Sequence, residues 1–372
     1  MDKETRTDES GRQPLNYTEW FNDHFKIGLK QILKFSLDNP RMAALMAGKL
    51  ARFYFASRRR KYWKERGVQV PPMLIYSVTS ECNLDCAGCY AKVLHAPRHG
   101  EFNAEKFADV LRQADEIGVS YILTAGGEPF IRPELLDVLG KHPNIIFTPF
   151  TNGLLINEEH IRKLRQNPHV IPIVSFEGYE LETDKRRGAG VYDNGLALIE
   201  RFQQAGIYYG VSITTTRGNF ETITDRVFIE RLAARDCKVF FFINYIPVEK
   251  GSEDMVMTQQ QVNALNRVME IYRQEYPALF LAFPGSEIDF GGCLAAGKGF
   301  VHINAEGDVE PCPFSPYSDA SLRDMPLIEA LRSPLLRKIR ENDIRLDESN
   351  GLCALWQNRE WVADLAATDK HV

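Results

Sequence analysis

The sequence predicts an α/β fold in which strands and helices alternate to form a parallel sheet or barrel. Short apolar segments alternate with helical segments six times between residues 73 and 246. The predicted strands cover residues 73–80, 121–124, 145–150, 171–176, 208–215 and 238–246. The helices between them are predicted at residues 104–117, after Pro133, and at 158–165, 194–205 and 222–235. Cysteines and polar residues follow several strands directly, and an α/β barrel carries its chemistry at those C-terminal strand ends.

The composition is that of a globular protein with a sizeable core: of 372 residues, 44% are hydrophobic and 26% are charged. A net charge of −5 argues against nucleic-acid binding by the molecule as a whole. The polar start MDKETRTDES has no apolar segment typical of an export signal, and no stretch of about 18 apolar residues predicts a membrane span. We therefore expect a cytoplasmic protein, in which seven cysteines favour metal binding over disulfides.

A basic segment with helical periodicity precedes the first strand. Between His24 and Arg66, twelve lysines and arginines face only two acids, and Asn39-Pro40 predicts a break between two helices. Two interpretations stay open. The helices form a cap packed on the main domain with solvated charges, or they rest as a basic amphipathic pair on an anionic membrane surface or polyanionic partner.

Cys82, Cys86 and Cys89 follow the first strand with the spacing Cys-x3-Cys-x2-Cys. Three thiolates on so short a loop can converge on one face of an iron–sulfur cluster, and a 4Fe–4S cluster usually takes four cysteines. One iron would then stay open for a substrate or cosubstrate. A structural zinc site is the alternative, but it needs four close ligands, and the nearest candidate for a fourth is His95.

With this cysteine spacing after the first strand, the sequence resembles the radical S-adenosylmethionine (SAM) superfamily. The resemblance implies a partial (β/α)6 TIM-like barrel, in which the open iron of a 4Fe–4S cluster binds the amino and carboxylate groups of SAM. The reduced cluster would cleave SAM, and the 5′-deoxyadenosyl radical would abstract hydrogen from a substrate. Many members have an aromatic residue just before the third cysteine, whereas here Gly88 precedes Cys89 and Tyr90 follows it.

Three further strings extend the resemblance to the SAM-binding site. Gly126-Gly127-Glu128-Pro129 follows the second strand, like the family motif whose glycines permit close approach and whose acid and backbone hold the methionine amino group. Ser175 and Glu177 follow the fourth strand, where members place a serine and an acid, usually aspartate, near the ribose. Arg187, or its neighbour Arg186, matches the arginine that often pairs with the methionine carboxylate; an exposed charged loop is the alternative.

Other residues at predicted strand ends are candidates to line the same barrel mouth. Turn or strand-core roles explain them equally well. They are Thr151, Asn152, Ser212, Thr214 and Tyr245.

The second cysteine set, Cys293, Cys312 and Cys353, resembles that of a shortened SPASM/twitch-type auxiliary iron–sulfur domain, in which a β-hairpin and a following helix hold extra clusters. The hairpin is predicted around Glu306-Gly307. Trp356 stands where a Cys-x2-Cys partner of Cys353 would fall, so a fourth cysteine is missing. The alternatives are a cluster with an open iron, an unnamed non-cysteine ligand, or a degenerate domain that holds zinc or nothing.

The predicted organisation is a basic helical segment at 1–70, the radical SAM barrel at 71–250, a linking helix and loop at 251–290, and the auxiliary-cluster domain at 291–372. The lone Cys237 is expected to be a small buried hydrophobic residue.

The sequence thus predicts a radical SAM enzyme with oxidoreductase- or transferase-type chemistry, working anaerobically with a reductant such as flavodoxin or ferredoxin. The basic N-terminal segment makes a lipid or membrane-associated substrate the first choice, and a peptide or protein is the alternative. A non-catalytic iron–sulfur electron-transfer or sensor protein is the alternative of another class, but it leaves the Gly126–Pro129 turn without a purpose. A nucleic-acid modifier using the basic run 58–61 is disfavoured by the acidic net charge.

Overall fold

A computed structural model describes residues 40–96, 100–284, 292–348 and 352–368. The first of the two predicted N-terminal helices, beginning near His24, lies outside the described residues.

The described residues contain one open, mostly parallel sheet. Its strands are β1 Met73–Thr79, β2 Tyr121–Gly126, β3 Ile146–Thr151, β4 Ile173–Phe176, β5 Gly210–Thr215, β6 Val239–Asn244, β7 Leu279–Phe283, β8 Phe300–Ile303 and β9 Val309–Glu310. They follow the order β7-β6-β5-β4-β3-β2-β1-β8-β9, and only the β8–β9 pair is antiparallel. The sheet does not close into a full barrel, as expected for a partial barrel. The predicted α/β partial barrel is therefore confirmed, and β1–β6 lie at the predicted positions.

Helices connect the parallel strands. They are α1 Pro40–Lys64, α2 Tyr90–Leu94, α3 Ala104–Ile117, α4 Leu135–Gly140, α5 Glu158–Gln166, α6 Glu180–Arg187, α7 Val191–Gln204, α8 Phe220–Thr224, α9 Arg226–Ala233, α10 Gln259–Glu275, α11 Leu327–Ala330, α12 Pro334–Arg340, α13 Ala354–Gln357 and α14 Arg359–Thr368. Short 3-10 turns cover Pro129–Ile131, Glu253–Met255 and Asp343–Leu346. No helix of the described ranges is long and apolar enough to cross a bilayer.

Helix α3 illustrates how local sequence sets these elements. Asn103 caps its start, because the side-chain oxygen accepts a hydrogen bond from the Lys106 amide at 2.9 Å. Gly118 ends it in the left-handed conformation, at φ +102°. Apolar residues recur at helical spacing and are buried against the sheet. These are Phe107, Val110, Leu111, Ala114 and Ile117.

Two features differ from the sequence prediction in detail. The predicted helix at 222–235 is two helices, α8 and α9, because Asp225 is extended and caps α9 by accepting from the Val227 amide. A seventh parallel strand, β7, lies in the segment predicted as a link. It is held by side-chain packing as well as by the ladder, since Phe280 stacks on Phe240 with ring centroids 4.6 Å apart.

The predicted hairpin is present as β8 and β9, but it does not form a sheet of its own. Strand β8 pairs in parallel with β1, from Met73 opposite Phe300 to Tyr76 opposite Ile303. The auxiliary cysteine segment is therefore continuous with the barrel sheet at its β1 edge.

Helix α1 packs across the strands of the partial barrel. Met46 and Phe53 are buried in a separate apolar cluster with side chains from β3, β4 and β6 and from the residues just before β4. These partners are Ile146, Ile171, Ile173, Val239 and Phe241. The apolar face of α1 is thus used within the molecule.

Two cations of α1 are also used within the molecule. The Lys49 ammonium donates to the carbonyl oxygens of Pro143 (2.7 Å) and Ile145 (2.9 Å), and burial lowers the pKa of Lys49 to about 7. The guanidinium of Arg60 donates to Ser120 Oγ at 3.0 Å and stands over the Phe53 ring. These contacts fit the helical-cap interpretation of α1.

We expect Phe53→Ala to lower the free energy of unfolding by about 3 kcal/mol, because it removes a ring that is 2% exposed and leaves a cavity. Urea denaturation followed by fluorescence measures this change. The matched control is Phe55→Ala on the same helix, where the ring is 57% exposed and a change below about 0.5 kcal/mol is expected. Equal losses in both variants would contradict the packing of α1.

Candidate functional site

The first cysteine set lies on a loop at the C-terminal end of β1, which we call the cysteine loop (residues 80–89). Cys82 is exposed, Cys86 and Cys89 are half-buried, and Cys89 caps the start of α2. All three are thiols. Burial raises the pKa of the Cys86 thiol, and the positive charges of Arg187 and Arg186 act against that shift. The arginines therefore lie close enough to favour the thiolate form.

The turn after β2 fits closely under the cysteine loop. The amide of Gly127 donates to the Thr79 carbonyl, and the amide of Glu128 donates to the Glu81 carbonyl, both at 2.8 Å. A β-carbon on Gly127 would lie 1.8 Å from the Glu81 oxygen, and one on Gly126, where φ is +112°, would lie 2.2 Å from the Thr79 oxygen. Only glycine fits at either position.

The carboxylate of Glu128 is buried and joins three parts of the site. It accepts hydrogen bonds from Thr151 Oγ1 (2.7 Å), the Asn152 amide (2.8 Å) and the Phe130 amide (3.2 Å). Burial raises the pKa of Glu128, while these hydrogen bonds oppose the rise. The Asn152 side chain in turn donates to Asn83 Oδ1 at 2.8 Å, so the ends of β2 and β3 hold the cysteine loop. Pro129 opens the 3-10 turn that follows.

Glu177, after β4, holds two arginines of α6. Its Oε1 accepts from Arg186 Nη1 at 2.6 Å and from Arg187 Nε at 2.7 Å. Burial acts to lower the pKa of Arg186, but the charge and hydrogen bond of Glu177 together with the charges of Cys86 and Cys89 outweigh it, and the net shift is upward. The arginine side chains are only 13% and 11% exposed, so the exposed-loop alternative is wrong. The Ala87 amide donates to the Arg186 carbonyl (3.1 Å), which attaches α6 to the cysteine loop.

The predicted residues on β4 and β5 lie beside this ion-pair cluster. Ser175 Oγ and Ser212 Oγ are 3.0 Å apart across adjacent strands, and both side chains are buried. Thr214 Oγ1 accepts from Arg186 Nη1 at 3.2 Å. A continuous polar row therefore leads from the strand ends to the arginines.

Tyr245, after β6, occupies the space in front of Gly88. A β-carbon on Gly88, where φ is +63°, would lie 2.2 Å from the Tyr245 hydroxyl oxygen. That hydroxyl is buried and has no hydrogen-bond partner among the described residues. The chain thus supplies an aromatic ring beside the third cysteine from a different strand, which accounts for the glycine at position 88.

Tyr90 faces the auxiliary segment. Its ring centroid is 4.9 Å from that of Phe314 and 6.1 Å from that of His95. Although the resemblance grouped Tyr90 with the SAM site, the structure places it between the cysteine loop and the residues that follow Cys312.

A buried polar triad that the sequence analysis did not single out connects β1 to the hairpin. His302 Nδ1 lies 2.6 Å from Glu310 Oε2, and its Nε2 lies 2.8 Å from Ser77 Oγ. Burial lowers the pKa of His302 to about 3, so the ring is neutral, with Nδ1–H donating to Glu310 and the Ser77 hydroxyl donating to Nε2. The predicted hairpin could have indicated the contact between His302 and Glu310, because it pairs these two positions directly.

The second cysteine set is buried in the C-terminal segment. Burial raises the pKa of Cys293 well above its usual range, and nearby Glu348, Cys353 and Cys312 raise it further. The structure thus brings the three predicted cysteines together and adds Glu348, which sequence reasoning missed. Trp356, at the position of the missing cysteine, instead lies under the Arg359 guanidinium at 5.0 Å from its ring centre.

The distances among the thiols indicate whether they suit a single zinc ion or an iron–sulfur cluster. Within the described ranges, one group of side chains has ligand atoms close enough together to bind a single ion. It consists of His95, His302 and Glu310, whose ligand atoms all lie within 4.8 Å of one another. Neither cysteine set converges so tightly. The thiolates of a multi-iron cluster bind different iron atoms and stand further apart, so both sets fit a cluster better than one zinc ion. Cys237 is 2% exposed beneath the sheet, as expected for a buried hydrophobic residue.

We expect Gly88→Ala to reduce iron binding at the cysteine loop, because its β-carbon would overlap Tyr245 at a positive φ. Iron per chain after anaerobic reconstitution measures the effect. The double variant with Tyr245→Ala should recover part of the lost iron, since the overlap is removed and only backbone strain remains. The control is Gly100→Ala, where the β-carbon would meet nothing within 4 Å. Full iron binding by Gly88→Ala would contradict this geometry.

Comparison with known proteins identifies the family of the barrel. Residues 76–250 match the model of the Radical SAM superfamily. The AdoMet-dependent heme synthase of Methanosarcina barkeri is 25% identical over 327 residues, which cover 80% of this chain and 91% of the relative. Mycofactocin maturase MftC of Mycolicibacterium smegmatis is 27% identical over 269 residues, covering 68% and 66% of the two chains.

Solved structures share the fold. Streptococcus suis SuiB bound to S-adenosylmethionine aligns with a TM-score of 0.62 at 18% identity, covering 85% of this chain and 74% of SuiB. Native anSMEcpe with bound AdoMet and Cp18Cys peptide aligns with a TM-score of 0.59 at 17% identity, covering 76% and 86%. Residues 76–250 thus form a radical SAM domain, with which the chain is an enzyme that uses a 4Fe–4S cluster and S-adenosylmethionine as cofactors.

Proposed function

We propose that Cys82, Cys86 and Cys89 hold the 4Fe–4S cluster and that the enzyme abstracts hydrogen from a peptide substrate. The cluster would supply the electron that cleaves SAM to methionine and a 5′-deoxyadenosyl radical. The observation that carries the proposal is the meeting of the cysteine loop with the Gly126–Pro129 turn and the Glu177–arginine cluster at one mouth. An electron-transfer protein has no need of the last two.

The residues around the loop suit the separate parts of SAM. Arg187 is assigned to the methionine carboxylate, because a guanidinium has five donors and the contact with Glu177 uses only part of them. Both carboxylate oxygens of Glu128 accept hydrogen bonds from the protein. The methionine amino group is therefore assigned to the backbone of the Gly126–Pro129 turn, with Glu128 as a positioning residue.

The polar row on β4 and β5 is assigned to the ribose, whose hydroxyls pair with side chains that both donate and accept. Its members are Ser175, Ser212 and Thr214. Tyr245 is assigned to the adenine side, because its ring lies against the third-cysteine position and its hydroxyl is buried without a partner among the described residues.

A second cluster on Cys293, Cys312 and Cys353 belongs to the proposal. All three thiols are buried, and their segment joins the barrel sheet through β8. A small cleft with both polar and apolar lining lies between this segment and the cysteine loop. Thr79, Ser80 and His95 line one side, and Asn304 and Glu306 line the other. A substrate held there would lie between the two clusters.

The peptide assignment draws on relatives and on fold. MftC is named a maturase, and SuiB, solved also with its precursor peptide SuiA, shares the fold with a TM-score of 0.62. The polar side chains in the lining of the cleft suit a peptide, whose backbone carries a donor and an acceptor at nearly every residue. Heme synthesis is the second candidate activity, because the Methanosarcina barkeri heme synthase aligns over 91% of its length.

A lipid substrate, the first choice from the sequence, is not proposed. None of the relatives and solved structures described above is named for action on a lipid. The basic helix α1 that suggested it buries its apolar face and two of its cations against the barrel.

Cys82→Ala, Cys86→Ala and Cys89→Ala should each abolish 5′-deoxyadenosine formation, because each removes a ligand of the cluster that reduces SAM. The assay is anaerobic reconstitution with iron and sulfide, addition of SAM and dithionite, and chromatography of the nucleoside product. Cys237→Ala is the control and should retain full activity. Product formed by the loop variants would contradict the assignment, and about eight irons per wild-type chain would support two clusters.

Cys312→Ala should leave cleavage of SAM at the first site but stop modification of substrate. The reason is that this cysteine lies in the buried second set, beside Cys293. Nucleoside formation and substrate conversion are measured separately in the same reaction. Unchanged conversion would show that the second set has only a structural role.

Hydrogen abstraction itself can identify the substrate class. Cells of the source organism are grown in deuterated medium, and their extract is separated into peptide, lipid and porphyrin fractions. Each fraction is incubated with unlabelled enzyme and SAM, and we expect the peptide fraction to transfer deuterium into 5′-deoxyadenosine. Transfer from the porphyrin fraction would favour the heme alternative, and transfer from the lipid fraction alone would contradict the peptide proposal.

A further inference from the structure

A buried carboxylate lies among the auxiliary cysteines. Glu348 is 2% exposed, and its Oε2 has no hydrogen-bond partner among the described residues. Oε1 accepts from the Ala354 amide at 2.9 Å. The described residues also provide no ion pair to this carboxylate. A buried carboxyl group without a cation either takes up a proton or binds a positively charged ligand, and the neighbouring thiols favour a metal ligand here.

Backbone hydrogen bonds place this carboxylate between two of the cysteines. Ala354 directly follows Cys353, so the contact at Oε1 holds Glu348 beside that thiol. The Cys293 amide donates to the Leu346 carbonyl at 2.8 Å, two residues before Glu348. The third thiol, Cys312, is also close enough to act on Cys293. One carboxylate and three thiols therefore share one buried site.

The donor set matches a four-iron cluster that lacks one cysteine. A carboxylate carries the same single negative charge as a thiolate, so replacing one by the other leaves the charge of the buried cluster unchanged. Trp356, at the expected position of the fourth cysteine, offers no metal-binding atom and contacts Arg359. Glu348 is the buried carboxylate that lies beside these thiols.

We propose that Glu348 is the fourth ligand of the auxiliary cluster and binds through Oε2, with Cys293, Cys312 and Cys353 as the other three. The proposal rests on the auxiliary cluster that forms part of the proposed function. It closes the coordination of that cluster, so substrate does not bind to an auxiliary iron and must be held by the protein.

The test uses the full chain with Cys82, Cys86 and Cys89 all changed to alanine, so that only the auxiliary cluster forms. We expect about four irons per chain after reconstitution. Mössbauer spectroscopy should show one iron distinct from the other three, because it has an oxygen ligand. In the same background, Glu348→Cys should keep about four irons, remove that distinction and lower the midpoint potential, since a thiolate donates more electron density.

Glu348→Ala should lose one iron on mild oxidation and give the electron paramagnetic resonance signal of a 3Fe–4S cluster. Glu348→Gln keeps the side-chain shape and serves if the alanine variant fails to fold; it should show the same loss. The matched control is Glu341→Gln, an exposed carboxylate seven residues earlier, which should behave as the parent.

Two negative results have different meanings. If the parent with three alanines binds no iron, the auxiliary cluster is absent and both it and its proposed ligand are overturned. If it binds about four irons, and its spectra and potential stay the same in all three Glu348 variants, Glu348 is not a ligand, while the auxiliary cluster and the proposed function stand.

Discussion

The cysteine loop owes its conformation to backbone hydrogen bonds from neighbouring strand ends, and the rest of the site depends on them. It contains no strand and only the start of one short helix, yet the amides of Gly127 and Glu128 bind carbonyls at its base and the Arg186 carbonyl binds it near Cys86. These contacts require the backbone after β2 to approach the loop so closely that no β-carbon fits between them. The Gly-Gly sequence after β2 is therefore a geometric condition for placing the three thiols.

Two buried carboxylates support this arrangement in different ways. Glu128 is surrounded by neutral donors, which hold it as a rigid connection between β2, β3 and the loop. Glu177 is paired with two guanidinium groups, and breaking such a buried pair leaves an uncompensated charge. The arginines also act on Cys86 against the effect of burial, so the same charges that balance Glu177 favour the thiolate needed for iron.

The barrel and its first cysteine site could be predicted from the sequence because their signals are local. Strand periodicity places each polar residue at a strand end, and parallel strands bring those ends to one edge. Contacts made by distant segments could not be predicted. Tyr245, after β6, fills the space at Gly88 from more than 150 residues away, and β8 pairs with β1 across more than 220 residues. Glu348 was missed because its spacing from the cysteines matches no motif, and only folding brings it to Cys293.

The pairing of β8 with β1 has a consequence for the chemistry. It makes the auxiliary segment part of the barrel sheet, and the Ser77–His302–Glu310 triad fixes the two together in a buried environment. Tyr90 and Phe314 add a ring contact between the cysteine loop and the residues after Cys312. The segment with the second cysteine set is thus attached to the cysteine loop, and the cleft lies between the two. The fully ligated auxiliary cluster proposed above would be suited to accept or deliver an electron, whereas binding and orienting the substrate would then fall to the side chains of the cleft.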